Sequence, residues 1–178
     1  MSRTRADNRG PCMVAIHTGE LAPFHLTICG LDELPGHRDA RVSHVLSILD
    51  PDTPPPAILR AFDGLRAHWV LRFHDLSLPV PGARLPETDD VAEVLTFGRE
   101  LRAGAGPAHL LVHCHAGVSR STAAAAILLA QPNPGREREA VDMVTSLRPM
   151  ARPNRRMLRI ADELLGRRGA LERAADRG

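Results

Sequence analysis

The sequence predicts an α/β fold with a mostly parallel central sheet flanked by helices on both sides. Three observations carry this. Short β-branched or apolar runs alternate along the chain with stretches of helical periodicity, the pattern of strand–helix units on a parallel sheet. The run Leu110–Val112 is apolar at every position, as a strand buried on both faces requires. A few residues later it feeds Ser121-Thr-Ala-Ala-Ala-Ala-Ile-Leu-Leu-Ala130, a strong helix former stopped by Pro132.

Taken in order, Met1 to Pro11 is polar, with no apolar segment of the kind a signal peptide needs, and reads as a frayed tail. One domain is expected over 12–166, with a second flexible tail over 167–178. Phe24–Cys29 reads as a short strand ended by Gly30, with a short helix around Leu31–Leu34. Val42–Leu49 reads as an inner strand. Pro51 and the triplet Pro54–Pro56 forbid its continuation, and Asp52 or Thr53 is placed to cap a helix over Ala57–Ala67. His68–Asp75 alternates as a third strand would. Asp89 or Asp90 caps a helix with Val91, Val94, Leu95 and Leu101 on one face. Glu137–Leu147 is amphipathic, and the last helix runs through Met157 to Leu165 behind a Pro153-Asn154 start.

Composition sets the remaining bounds. A chain of 178 residues suits one domain with a sizeable core, built mainly from Leu, Val, Ile and Ala because it holds one Trp, four Phe and no Tyr. A net charge of +2 gives no electrostatic case for nucleic-acid or membrane partners. No apolar run approaches the ~20 residues of a membrane span. Three cysteines (Cys12, Cys29, Cys114) make no disulfide framework and suit a reducing, cytoplasmic setting.

The stretch with chemistry is His113-Cys-His-Ala-Gly-Val-Ser-Arg-Ser121, between the buried strand and the Ala-rich helix. Backbone N–H groups of a tight turn and of a helix's first turn converge on an anion, and the helix dipole adds positive potential. Gly117 lets the backbone bend inward. Cys114 stands at the carboxyl end of the strand, where a helix N-terminus and a guanidinium favour the thiolate form. Arg120 offers a planar fork for two oxygens of a tetrahedral oxyanion. A nucleophile beneath a bound phosphate is a phosphatase arrangement.

This string resembles the signature of cysteine-dependent protein tyrosine phosphatases, and most closely their dual-specificity branch in its small single-domain, bacterial-type form. The resemblance implies a phosphatase-like fold and a phosphocysteine intermediate. Cys114 would be the nucleophile and Arg120 the phosphate ligand. Ser121 would be the hydroxyl partner of the sulfur, and His113 the support of the cysteine backbone. His115, Ala116, Gly117, Val118 and Ser119 would join Arg120 in holding the phosphate. A general acid is also implied, an aspartate on a loop before the cysteine. Asp75 is preferred because it closes a strand beside the cradle and precedes the loop Leu76–Pro86; Asp89 and Asp90 are the alternatives, better explained as helix-capping carboxylates. The resemblance gives Asn154 a bracing role, although an N-cap alone explains an asparagine there. Trp69, Phe73 or His74 could replace the missing tyrosine wall.

No cofactor is expected. His113, Cys114 and His115 alternate on a strand and cannot easily converge on one metal ion. The expected substrate is a phosphotyrosine or another phosphoprotein. A lipid, nucleotide or small-molecule phosphate, and a non-catalytic phosphate-binding protein, stay open. Oxidation of Cys114 with trapping by Cys29 is a further expectation, tested by a disulfide after mild peroxide.

Overall fold

A computed structural model describes residues 16–17 and 19–176. The expected tail over 1–11 lies outside these. Among the described residues the sheet has five strands, β1 (Ile16–His17), β2 (Phe24–Cys29), β3 (His44–Leu49), β4 (Ala67–Arg72) and β5 (Ala108–His113), in the order β1-β2-β5-β3-β4. β2, β5, β3 and β4 are mutually parallel, and the two-residue β1 is antiparallel to β2. β5 is central and buried at every position, which is why its sequence is apolar without alternation.

The described residues also form five α-helices: α1 (Thr88–Ala103), α2 (Arg120–Ala130), α3 (Glu137–Leu147), α4 (Arg155–Leu165) and α5 (Ala170–Ala175). They cover one sheet face, where Leu46, Ile48, Leu110 and Val112 meet the helices in one apolar core. α2 is its axis, with every residue buried. Its four consecutive alanines let β2, β3, β5 and the other helices approach closely without opening cavities. The other face is covered by two 3-10 segments, Leu31–His37 and Ala57–Ala61, around Val45, Leu59, Phe62 and Leu111.

Several expected boundaries differ. The helix expected over Ala57–Ala67 is one 3-10 stretch to Ala61, closed by the Phe62 N–H bonding Leu59 O and followed by Gly64 at φ 85°. Pro56, not Asp52 or Thr53, occupies its N-cap. The third strand stops at Arg72, because the backbone N–H of His74 turns to Arg84 O (2.7 Å). Glu87 is the N-cap of α1; Asp90 closes a capping box with it and is also paired with Arg84. At the C-terminus, α5 forms where the sequence suggests a flexible tail from 167: Leu171 is fully buried, and the Asp162 carboxylate accepts from the N–H groups of Leu171 and Glu172. Among the described residues, no helix is long and apolar enough to cross a membrane.

Candidate active site

Residues 114–119 link β5 to α2 at the carboxyl edge of the sheet. What shapes this loop is the direction of its carbonyls. His115 O accepts from Leu31 N (2.9 Å), Val118 O from Arg152 N (2.8 Å) and Ser119 O from Asn154 N (3.2 Å). Arg148 holds the two between them, with Nη2 on Ala116 O and Nε on Gly117 O (3.1 Å each). Five successive carbonyls are thus bound from outside the loop. None of the N–H groups of 115–119 donates to a protein acceptor among the described residues. A loop with its acceptors satisfied on the outer side and its donors uncommitted is an oxyanion receptor.

Glycine is required at two points of this packing. Gly117 has φ 69°, and a Cβ there would lie 2.5 Å from the carbonyl carbon of Cys29. A Cβ on Gly30 would stand 2.9 Å from His115 O. The end of β2 therefore presses directly on the loop.

Cys114 is buried beneath the loop, with its Sγ 3.2 Å from Ser121 Oγ. Arg120 is also buried; its Nη1 donates to Asp50 Oδ1 and Phe73 O (2.6 Å each), while Nε has no partner among the described residues. One corner of the guanidinium is anchored, and a second donor is left for an anion. Asp50, at the end of β3, went unrecognised in the sequence. The signal that singles out Asp75, a carboxylate at the carboxyl end of a parallel strand, applies to it equally. Asp50 Oδ2 also stands 3.9 Å from His115 Nε2, which makes a long contact with Thr53 (3.4 Å).

Asp75 is exposed and lies at the loop. Its Oδ1 accepts from Ser119 Oγ (2.6 Å) and from Asn154 Nδ2 (2.8 Å). The same Asn154 caps α4, its Oδ1 accepting from Met157 N (3.1 Å). One residue therefore ties α4, the loop and Asp75 together. Asp90 is buried, and its carboxylate is engaged with Arg84 and the Glu87 N–H. Trp69 packs on Phe97 in the core and Phe73 is fully buried, so neither offers the site an aromatic wall; His74 bonds the Arg84 backbone. Leu78 and Val80 are exposed on the loop after Asp75.

His113 is fully buried, and its Nε2 lies 2.5 Å from Ser47 Oγ. Burial pushes its pKa down to about 4, so the ring is neutral near pH 7. Glu33 balances opposing effects. Burial would raise its pKa, but bonds from Arg148 and from the Gly30 N–H outweigh this and hold it low. Cys29 shares a sheet face with His113 and packs among Leu34, Val45 and Leu111. Cys114 belongs to the core on the opposite face, so a Cys29–Cys114 disulfide would require the end of β2 to rearrange. Among the described residues, no group of three or more His, Cys, Asp or Glu is placed to hold a metal ion.

No protein-family model matches the sequence. The chain is 31% identical over 157 residues to mouse (Mus musculus) dual specificity protein phosphatase 12, a match covering 84% of this chain and 42% of the relative. It thus spans less than half the length of that protein. The crystal structure of DUSP15 superposes with a TM-score of 0.60 at 20% identity, covering 88% of this chain and 93% of that one. Human DUSP28 gives a TM-score of 0.59 at 20% identity, with 84% and 96% covered.

Proposed function

We propose that the chain belongs to the dual-specificity-like branch of the cysteine-dependent protein tyrosine phosphatase superfamily, and that it hydrolyses phosphomonoesters, with phosphotyrosine or another phosphoprotein as substrate. The observation that carries this reading is the loop over Cys114, whose five carbonyls are bound outward while its N–H groups and Arg120 Nε stay uncommitted. The uncommitted N–H donors of the loop and a guanidinium suit the equatorial oxygens of a phosphoryl group in transfer.

In the first step the Cys114 thiolate attacks phosphorus. The P–O bond to the leaving group breaks, and the departing oxygen takes the proton of Asp75. In the second step Asp75 accepts a proton from water, which attacks the phosphocysteine. The P–S bond breaks, and Ser121, 3.2 Å from the sulfur, donates to the leaving thiolate. Asp75 is assigned the acid role over Asp89 and Asp90. It reaches the loop through Ser119, whereas the Asp90 carboxylate is occupied by capping bonds. His115 to Ser119 hold the phosphate with Arg120; His113 and Asn154 support them. The work is assigned to a cytoplasmic setting without a cofactor.

The test is hydrolysis of para-nitrophenyl phosphate across pH by wild type, Cys114→Ser and Asp75→Asn. Wild type turns over, Cys114→Ser is inactive, and Asp75→Asn loses the basic limb of the profile with kcat down about 10²-fold. A folded, reduced wild type with no turnover would overturn the enzyme reading and leave a phosphate-binding protein.

A further inference from the structure

The hydrogen bonds of His113 continue past the site. In the sheet register Ser47 of β3 stands opposite His113 of β5, and His68 of β4 lies two residues before Val70, the partner of Ser47, and so on the same sheet face. Ser47 Oγ is 2.5 Å from His113 Nε2 and 2.8 Å from His68 Nε2. Ser47 is fully buried and has one hydroxyl proton for two imidazoles. It therefore donates to one ring and accepts from the other.

A backbone contact with Cys114 favours the protonated form of His113, which puts a proton on Nδ1, the nitrogen not facing Ser47; Nδ1 has no hydrogen-bond partner among the described residues. A neutral ring with its proton on Nδ1 presents a lone pair at Nε2, so Ser47 donates there. Ser47 in turn accepts the Nε2 proton of His68. The polarity runs from β4 through β3 to the nucleophile's own peptide unit. Both the neutral and the charged form of His68 carry this proton, so it survives titration of His68.

We propose that His68, half-buried on the edge strand, is a positioning residue for Cys114. It fixes the His113 tautomer and orientation through Ser47, and so favours the thiolate. The inference rests on Cys114 being the nucleophile. His68 touches neither the cradle nor the substrate site. The groups around the chain are few. Burial alone depresses His68, and His113 is further disfavoured as a cation by His68 and His115. Asp50 faces His115 and Arg120 at the end of β3. Arg72 on β4 is engaged with the carbonyls of Asp50, Pro51 and Thr53. Glu33 and Arg148 pair behind the loop, and Arg60 of the covering 3-10 segment is exposed.

The experiment reads iodoacetamide alkylation of the Cys114 peptide by mass spectrometry as a function of pH, in wild type, His68→Phe, His68→Gln and Ser47→Ala. Phe fills the half-buried position but cannot donate, and the pH of half-maximal alkylation rises by about 0.5–1 unit. Gln restores a donor and returns the profile to within about 0.2 unit of wild type. Ser47→Ala shifts it at least as far as His68→Phe. If His68→Phe superposes on wild type while Ser47→Ala shifts, the chain ends at Ser47 and the proposal fails; it fails equally if Gln shifts as much as Phe. The readout needs no turnover. A chain with the expected profiles but no phosphate-ester hydrolysis would sink the functional reading and leave the relay standing.

Discussion

The two ends of the sheet are both polar and histidine-rich, yet they differ in one respect. At the amino-terminal end, a cavity of about 1040 Å³ is lined by His25, His37, Ser43 and His109. It is larger than the hollow of about 570 Å³ beside Asp75 and Ser119 at the carboxyl end. At the large cavity the buried polar groups Ser43 and His109 are matched internally. His109 bonds Thr27 Oγ1 and Ala40 O (2.9 Å each), and Ser43 bonds the His109 backbone and the His44 ring. At the carboxyl end the loop's donors have no protein partner among the described residues. Uncommitted hydrogen-bonding capacity, more than volume, marks the reactive end.

The strongest attempt to break this comparison is one substitution at each end. Arg120→Lys keeps the charge but loses the fork held by Asp50 and Phe73 O, and kcat on an aryl phosphate falls about 10³-fold. His109→Ala removes one buried and one partly buried hydrogen bond. It lowers stability by about 1–3 kcal/mol in urea melts and leaves kcat/KM unchanged. A loss of activity in His109→Ala with an intact fold would erase the distinction between the ends.

A second pair sharpens it with glycines. Gly117→Ala combines a positive φ with a Cβ overlapping the Cys29 backbone, so the loop must move. Activity is lost, and stability falls by about 3 kcal/mol or more. Gly64→Ala at φ 85° meets open space and loses only the backbone term of about 1–2 kcal/mol, with kcat unchanged. Thermal melts and kcat on both variants separate a conformational requirement from a close approach.

The sequence made the centre of the site legible and left its surroundings hidden, for a physical reason. Cys114, Gly117, Arg120 and Ser121 sit within one strand–turn–helix unit, where local spacing dictates geometry. Arg148, Glu33, Ser47, His68 and Asp50 reach the site through strand pairing and helix packing across 66 to 115 residues of chain, or through contacts one step removed from it. Ser47 meets His113 only because β3 pairs with β5 in one register. A slip by one residue would turn it to the other face. The parallel sheet itself was legible because alternation of strands and helices constrains topology strongly. The 3-10 stretch at 57–61 was not, since Leu59 packs equally well from one short turn as from a longer helix. The helix at 170–175 was hidden because its six residues are held by Asp162 and by burial of Leu171, neither visible in a charged terminal segment.

Buried histidines at both ends respond together to acid. Burial lowers the pKa of His113 to about 4 and shifts His37, His44, His68 and His109 in the same direction. Below an unfolded value near 6.5, the unfolded chain binds more protons than the folded one, so stability is complete above that pH and declines as it falls toward 4. His113 alone contributes a loss of about 3 kcal/mol across this window. Glu33 works in the same sense at lower pH. Its folded pKa lies below 4.5, so its pairing with Arg148 stabilises above that value and is lost as pH falls further. Urea melts from pH 7.5 to 4.5 should slope downward, and His113→Asn should flatten the slope while lowering stability at pH 7.5. A stability that stays level across this window in wild type would mean the buried rings are protonated or exposed. The neutral His113 on which the Ser47 chain depends would then be excluded.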